Sequence, residues 1–463
     1  MSNGITRALA LAIATTPLLI ACGGGKADNP SAIASPQCSG SSCPVQGPPT
    51  QGAGAAALCP ATADIVKSTY LGGAGSGEVV QLNIDATAMT YTLKFLESPI
   101  PTSSGQVTTT RAGTQIAGAV IHPPAGTLPT DEQTRCAFVL TPGSGTASDG
   151  TAYSTASTFN QANPPMVLVG LGVAGGGIPG ASIQFDGLLG SGVVNSRTFD
   201  FYPFLSFAST TTDMSKLPGT YNGLLYHLVP SDAYLTATAS TVETFDASGN
   251  CTSSNTANAA YNPNSAGCLT TGNALSVNAN GYFDSTVAPQ IEAQTRLLGT
   301  ITTGKTATAH MILGQINGAT VPLVVRTGRV VLPPAGLEVD DESGIAMLAA
   351  ATPLASGGFD GGYVGADSNF KYTATLIQGG LGTFINPSTQ AAESGFGMAY
   401  GQLPSPGMVG VQDASGNTGL AIASGGLYAI AIQGTENGGV TSTSANADTT
   451  AVPYFGIGAQ ISK

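Results

Sequence analysis

The sequence predicts an all-β fold for this 463-residue chain. Apolar and polar residues alternate with a period of two in short successive segments, which is the pattern of strands with one buried face. Glycine (63 residues) and proline (29 residues) stand in almost every gap between these segments. No stretch has the apolar spacing of a convincing amphipathic helix. We therefore expect tandem antiparallel meanders that close into barrels or pack as sandwiches.

The alternation starts after Leu58. The clearest segments place apolar side chains on one face of two successive strands: Val80, Leu82 and Ile84, then Tyr91, Leu93 and Phe95. Further strands are predicted at Ile116–Ile121, Ala137–Thr141, Met166–Leu171, Ile183–Leu188 and Thr198–Ala208. Two segments, Ala288–Leu298 and Leu337–Ala350, fit a short helix but also fit a strand or a loop.

The β region contains three similar openings. An aromatic residue stands two places before a glycine at Tyr70, Tyr221 and Phe359, each time ahead of a series of strands. The turn-forming sequence Asp-Ala-Ser-Gly-Asn occurs at Asp246–Asn250 and again at Asp413–Asn417. We expect three β-modules, of which the last two also fit one larger domain: 58–215, 216–355 and 356–463.

The N-terminus has the features of a bacterial export signal. Arg7 precedes an apolar run, Ala8–Thr16, that is too short to span a bilayer as a helix. Leu19–Cys22 then resembles the lipobox of bacterial lipoproteins. The resemblance implies a signal peptide at 1–21, cleavage before Cys22, diacylation of its sulfur and acylation of its new amino group. Gly23, in place of an aspartate, favours the outer membrane; the alternative is an ordinary signal peptide with an unrelated cysteine.

Residues 22–57 are expected to form a disordered tether between the acylated cysteine and the β-modules. Ser, Gly, Pro, Ala and Gln dominate this segment, and nothing in it alternates or recurs at helical spacing. With the lipobox and the Tyr221-Asn222-Gly223 opening, the tether makes the chain similar to uncharacterised Gly/Thr-rich lipoproteins of beta-proteobacteria. That resemblance implies attachment to the envelope membrane, and it assigns no activity to any residue.

The charge balance argues against nucleic acid as a partner. The chain has 26 acidic and 14 basic residues, a net charge of -12 and a pI near 4.5. Its basic residues are scattered singly, whereas phosphate backbones attract clustered Lys and Arg. The expected partners are the membrane, through the acyl anchor, and an unknown envelope or extracellular ligand.

A membrane-spanning porin is the alternative all-β class. The sequence has no tryptophan for an aromatic girdle and ends on the polar Ser462-Lys463. A lipidated Cys22 would also be unusual in a membrane-spanning barrel. We therefore favour modules held at the membrane by the anchor.

Six cysteines remain once Cys22 is assigned to the lipid: Cys38, Cys43, Cys59, Cys136, Cys251 and Cys268. An even number in an exported chain predicts disulfides, and six cysteines allow fifteen connectivities. Pairing of sequence neighbours is the simplest arrangement: Cys38–Cys43, Cys59–Cys136 and Cys251–Cys268. A zinc site would need histidines near closely spaced cysteines, and the three histidines are far from all of them: His122, His227 and His310. We expect no metal site.

One segment, Gly299–Thr306, matches the phosphate-loop pattern with the sequence GTITTGKT. A phosphate loop requires a following helix whose N-terminal amides face the phosphates. Here β-branched residues fill the loop, and Ala307–Leu313 has the pattern of a strand. We expect Lys305 at a hairpin tip between strands Leu297–Ile301 and Ala307–Leu313, with no nucleotide or other cofactor bound.

Catalytic motifs are missing from the sequence. It has no G-x-S-x-G elbow, no H-E-x-x-H zinc pattern and no C-x-x-C pair. Gly73–Gly77 is expected to be a flexible loop, and Asp340–Glu342 a solvated acidic loop without the spacing of a calcium site. We assign no catalytic residue and expect a non-enzymatic lipoprotein that binds a ligand or partner or serves a structural role. The alternative is an exported hydrolase built from carboxylates distant in sequence.

Overall fold

A computed structural model gives the fold of residues 57–103, 109–128, 130–185, 194–229, 234–254, 267–270, 274–285, 290–295, 299–328, 330–332, 337–339, 343–386, 391–414, 416–435 and 452–462. All of these belong to one compact unit, Pro44–Lys463. The signal peptide, the lipobox, Cys38 and Cys43 lie outside the described residues.

The first sheet and its appended hairpin contain the strands β1 (Thr69–Ala74), β2 (Glu78–Asp85), β3 (Thr90–Glu97), β4 (Gln115–Ile121), β5 (Ala137–Leu140), β6 (Ser144–Thr146), β7 (Ala152–Ser154), β8 (Met166–Val169), β9 (Val173–Pro179), β10 (Ser182–Phe185), β11 (Val194–Thr198) and β12 (Phe201–Phe207). Eight of them form a closed antiparallel barrel in the order β4-β3-β2-β1-β12-β9-β8-β5, because β4 pairs with both β3 and β5. The strands β6 and β7 extend from β4, and β10 pairs with β11 alone.

The middle sheet and two separate hairpins contain β13 (Thr210–Thr211), β14 (Gly219–Val229), β15 (Leu235–Phe245), β16 (Cys251–Ser253), β17 (Ser276–Val277), β18 (Phe283–Ser285), β19 (Gln290–Thr295), β20 (Gly299–Thr306), β21 (Thr308–Ile316), β22 (Ala319–Thr327), β23 (Val330–Leu332), β24 (Leu337–Val339) and β25 (Gly344–Ala350). Within the described residues this sheet is open, in the order β16-β15-β14-β25-β22-β21-β18-β17, with β13 on β21. The pairs β19–β20 and β23–β24 stand apart from it.

The last sheet is a second closed barrel of eight strands: β26 (Gly361–Asp367), β27 (Tyr372–Gln378), β28 (Leu381–Ile385), β29 (Ala392–Ala399), β30 (Val409–Asp413), β31 (Thr418–Ser424), β32 (Leu427–Thr435) and β33 (Val452–Ser462). Each strand pairs with the next along the chain, and β33 closes the ring on β26. This up-and-down order is the simplest way for a meander to remove its exposed edges.

A single apolar core joins the three sheets. Strand β12 is buried on both faces. One face lines the interior of the first barrel, and the other packs against residues outside that barrel. Gly73 in β1 shows how tightly the sheets meet, since a Cβ placed there would lie 2.3 Å from Cγ2 of Val325 in β22. Apolar side chains pack inside both barrels, and the first barrel also encloses the buried Glu78–Arg111 ion pair.

The all-β prediction is confirmed, and two of the three sheets close into barrels as expected. Both ambiguous segments contribute strands: β19 lies within Ala288–Leu298, and β24 and β25 lie within Leu337–Ala350. The expectation of a flexible loop at Gly73–Gly77 is wrong, because Gly73 and Ala74 belong to β1 and the next three residues form a tight, buried turn.

Among the described residues, two short α-helices were not predicted: α1 (Thr62–Ile65) and α2 (Asp131–Cys136). The second has a recognisable start, because the Thr130 hydroxyl accepts from the Gln133 amide while the Gln133 side chain accepts from the Thr130 amide, each at 3.1 Å. This capping box is a sequence-level signal for a helix N-terminus.

Candidate functional site

The candidate site lies where one end of the first barrel meets the middle sheet. Strand β9 ends and β12 begins at that end, and the β10–β11 hairpin connects them. Arg197 stands on β11, with Phe199 just after it and Tyr202 on β12. Tyr226 of β14 and Tyr234, just before β15, approach from the middle sheet. We call these five residues the Arg197 cluster.

Aromatic rings surround the Arg197 guanidinium. Its central carbon lies 4.7 Å from the centroid of the Phe199 ring and 5.6 Å from that of Tyr234. Phe199 in turn packs against Tyr202 and Tyr234, at centroid separations of 5.3 and 5.5 Å. Cation–π contacts of this kind hold the guanidinium in position but supply no hydrogen-bond acceptor.

Four polar atoms of the cluster are buried without a hydrogen-bond partner in the described chain. They are Nε and Nη1 of Arg197 and the hydroxyl oxygens of Tyr202 and Tyr226. Burial raises the pKa of both tyrosines, so the two hydroxyls stay protonated and can donate. Burial also lowers the pKa of Arg197, but a guanidinium remains charged at any physiological pH. A positive charge and two hydroxyl donors are therefore buried in the same cluster.

Two polar groups beside the unpaired atoms have partners of their own. The Tyr234 hydroxyl donates to the Ile183 carbonyl at 3.0 Å. Tyr202 also lies beside the Glu78–Arg111 ion pair inside the first barrel, where the central carbon of Arg111 is 6.0 Å from the Tyr202 ring. That pair is complete, with Arg111 Nε donating to Glu78 at 2.6 Å. It cannot serve as the missing partner of Arg197.

Two buried carboxylic acids have raised pKa values elsewhere in the molecule. Burial raises the pKa of Asp367, at the end of β26, to about 7, although it accepts from the Asn369 and Lys371 amides. Burial raises the pKa of Glu243 in β15 to about 7 as well, although it accepts from the Leu269 amide at 3.0 Å. Each has its own backbone donors, and the two carboxyl groups belong to strands of different sheets.

A histidine–carboxylate pair is the arrangement most like a catalytic group. His310 Nδ1 lies 2.8 Å from Asp284 Oδ1, and the charge and hydrogen bond of His310 lower the pKa of Asp284 against the effect of burial. Tyr282 packs edge-on against His310, and its hydroxyl donates to Glu97 of the first barrel at 2.7 Å. The hydrogen bonds described for His310 and His122 lead to a carboxylate and a backbone carbonyl, not to a serine.

Two of the three disulfides expected from sequence proximity are present: Cys59–Cys136 and Cys251–Cys268. Cys59, Glu132 and Cys136 lie close enough together to suggest a shared ion. Both sulfurs are bonded to each other, so neither is a thiolate that could bind a metal.

The phosphate-loop match lies within a strand. Five of its eight residues are Thr or Ile, and the whole segment forms β20, which pairs with β19. The prediction of a hairpin tip at Lys305 is therefore wrong, since the β-branched residues carry the strand through Thr306. The prediction that a strand follows is confirmed by β21. Asp340–Glu342 lies outside the described residues.

Tyrosine-to-phenylalanine substitutions test whether the cluster hydroxyls are unpaired. Tyr202→Phe and Tyr226→Phe are each expected to leave the free energy of unfolding within about 0.5 kcal/mol of the parent, or to raise it, because no bond is lost. The matched control is Tyr363→Phe, whose hydroxyl donates to the Phe359 carbonyl at 2.9 Å. That change is expected to cost about 1 kcal/mol in urea denaturation. A comparable loss in the two cluster variants would show that their hydroxyls are paired.

The architecture of the described residues defines a class: two closed antiparallel barrels and an open sheet joined through one core. Within the described residues, no helix has the length and apolar character needed to cross a membrane. The chain belongs to the family described as "protein of unknown function (DUF2957)", whose model matches residues 90–459. No curated protein matches the sequence.

Among solved structures, the chain is similar to a mutant of the vaccine antigen transferrin-binding protein B from Haemophilus parasuis Hp5. The sequences are 11% identical, the match covers 83% of this chain and 66% of that one, and the TM-score is 0.17. The chain thus spans just under two thirds of that protein's length.

Proposed function

We propose that this chain is a lipid-anchored protein of the outer membrane that binds a small molecule in its β-modules without catalysing a reaction. The observation that carries the proposal is the set of buried donors in the Arg197 cluster for which the described chain supplies no acceptor. Leaving such groups unpaired costs about 1–3 kcal/mol each, and more for a charged group. A site that retains this cost when empty is suited to a ligand that removes it.

The filled barrel interiors support a site at the junction of the sheets. Large apolar side chains such as Phe95, Phe138 and Phe204 are fully buried in the first barrel and occupy its interior. Binding sites commonly lie where separately folded layers meet, because side chains from different elements converge at such places. The Arg197 cluster is a convergence of this kind.

Analysis of co-purifying molecules tests the binding role. The full-length protein would be extracted from membranes in detergent, purified, denatured, and the released small molecules measured by mass spectrometry against a mock purification. We expect one compound in near-equal molar amount with the protein. A preparation that releases nothing, and whose melting temperature no envelope extract fraction raises, would contradict the proposal.

Lipidation rests on Leu19–Cys22 and has its own test. Cys22→Ser is expected to abolish incorporation of a radiolabelled fatty acid, because the acylated sulfur is removed, and to release the protein from the membrane fraction. The control is Cys43→Ser, which changes another cysteine before the β-modules and should label normally. Equal labelling of the Cys22→Ser protein would refute the anchor.

An exported hydrolase is the second candidate function, favoured by the His310–Asp284 pair. The carboxylate would hold the imidazole in one tautomer, as a general base requires. Hydrolysis of a chromogenic ester panel that falls at least about a hundredfold in His310→Gln would establish this activity. Turnover that is unaffected by the substitution would exclude His310 as the base.

A further inference from the structure

The unsatisfied groups of the Arg197 cluster specify the chemistry of its ligand. We propose that the cluster binds a small monocarboxylate whose carboxylate contacts Arg197, Tyr202 and Tyr226 and whose body is flat and apolar. The inference rests on the binding role proposed above and names the ligand class. Three observations carry it: the charge, the donors and the rings.

The positive charge is the first observation. The Nε and Nη1 atoms of Arg197 are buried without a partner in the described chain, and the Glu78–Arg111 ion pair beside Tyr202 is already closed. Water can accept hydrogen bonds from a guanidinium but cannot neutralise it. In a low-dielectric site an anion is therefore preferred to water as the occupant.

The second observation is the arrangement of donors. Tyr202 and Tyr226 come from two different sheets, and both lie close enough to Arg197 to interact with it electrostatically. Tyr226 also packs against the segment that carries Tyr202, because a Cβ at Gly75 would lie 2.7 Å from the Tyr226 ring and 3.5 Å from Pro203. A carboxylate has two oxygens and about four lone-pair sites, which matches donors that approach from several directions.

The third observation is the apolar lining. Phe199 and Tyr234 face the guanidinium, and Phe199 also contacts Phe370 of the second barrel at a centroid separation of 5.3 Å. Aromatic side chains offer flat faces for stacking, with favourable centroid separations of about 4.5–7 Å. These rings favour a ligand that carries a planar apolar group beside its carboxylate.

The local charge limits the anion to a single negative charge. One guanidinium neutralises a carboxylate, whereas a phosphate dianion would leave one charge buried and uncompensated. The chain as a whole has a net charge of -12, which also disfavours a highly charged anion.

Calorimetric titration of the full-length protein in detergent tests the assignment. The probes are acetate, benzoate and 2-naphthoate, with benzamide as the uncharged counterpart of benzoate and inorganic phosphate as the dianion. We expect saturable 1:1 binding of at least one aryl carboxylate, with benzamide and phosphate each at least about 30-fold weaker.

Variants locate the binding. Arg197→Gln is expected to weaken carboxylate binding at least about 30-fold, and Tyr202→Phe and Tyr226→Phe about 5- to 10-fold each. The matched controls are Arg135→Gln, which removes an arginine paired with Glu132 away from the cluster, and Tyr363→Phe. Both should bind as the parent does, and the melting temperature of each variant shows whether it is folded.

The outcomes separate this inference from the proposed function. A folded parent that binds none of the three carboxylates, or a folded Arg197→Gln protein that binds them unchanged, overturns the inference and assigns the donors to buried water. If the protein releases a neutral compound from membranes, the binding role stands and the carboxylate assignment fails. If it releases nothing and no probe binds, both fail.

Discussion

Replacing Arg111 with methionine is expected to lower the free energy of unfolding by about 3–5 kcal/mol, because it leaves the Glu78 carboxylate charged and unpaired inside the first barrel. The Glu78 and Arg111 side chains are both 0% exposed, and their ion-pair distance is 2.5 Å. Burial lowers the pKa of Arg111, but the charge and hydrogen bonds of Glu78 outweigh that effect and raise it overall, so the guanidinium stays charged.

The rest of the barrel is built around this pair. Arg111 also donates to the Pro179 and Gly180 carbonyls, and its central carbon lies 4.1 Å from the Phe95 ring centroid. The other lone pairs of Glu78 accept hydroxyl bonds from Ser76 and Ser98. Loss of the guanidinium therefore removes several bonds at once.

A double variant separates the charge from the packing. Glu78→Gln combined with Arg111→Met removes both charges and keeps an acceptor for the two serines, so it should recover a large part of the loss. The control is Arg135→Met, whose partly exposed pair with Glu132 should contribute about 1 kcal/mol or less. The measurement is urea denaturation at pH 7.5. A cost of Arg111→Met no larger than that of the control would contradict the prediction.

Folding stability is expected to fall as the pH rises from about 4 to 7, in contrast to the usual acid sensitivity of proteins. Burial raises the pKa of Glu243 from 4.5 to about 7 and that of Asp367 from 3.8 to about 7. Between the unfolded and folded values the native protein binds more protons than the unfolded chain, so raising the pH favours unfolding. Each group should cost on the order of 3 kcal/mol by pH 8.

Neutral variants should remove this dependence. Glu243→Gln and Asp367→Asn keep oxygens for the backbone amides, so we expect each to match the parent at about pH 3.5 and to exceed it by about 2–3 kcal/mol at pH 8. Asp149→Asn, at an exposed turn where bonds from Thr151 lower the carboxyl pKa, should show no gain at pH 8. The free energy of unfolding of the parent and of each variant would be measured at both pH values by urea denaturation. Parallel stability curves for parent and neutral variants would refute the raised pKa values.

Local sequence determined much of the strand pattern and the turns. The alternation at Val80, Leu82 and Ile84 does place these residues in the core. The two Asp-Ala-Ser-Gly-Asn segments form matching turns, in which Asn250 and Asn417 each donate backbone and side-chain bonds to the first aspartate. These features depend on neighbouring residues, so one sequence suffices to predict them.

A third turn of this kind was not predicted. At Asp367–Lys371 the backbone bonds are the same, but Phe370 takes the left-handed position, with φ of 58°, that Gly249 and Gly416 take in the other two. Burial of the Phe370 ring against Phe199 offsets the strain of that conformation. Because no glycine marks this turn, its sequence does not indicate it. The packing that offsets the backbone strain involves Phe199, which lies outside the second barrel.

The Arg197 cluster was likewise not predictable. Arg197 is one of several isolated basic residues, and Tyr226 lies in an apolar run that predicts only an ordinary strand. The two meet only because β14 pairs with β25, which follows it by more than a hundred residues, and packs on the first barrel. Pairings of such long range leave no trace in local spacing.

The Cys59–Cys136 bond determines how the first barrel would respond to mechanical tension. It links the chain just before α1 to the start of β5, across 77 residues. A pull on the residues that precede Cys59 is therefore shared between β1 and the α2–β5 junction, on two separate strands of the barrel wall. Hydrogen bonds that bear a load at the same time withstand a higher force than hydrogen bonds that break one after another as a strand is peeled from one end. With the bond reduced, the same pull would act on β1 alone and could unzip it from β2 and β12 in sequence.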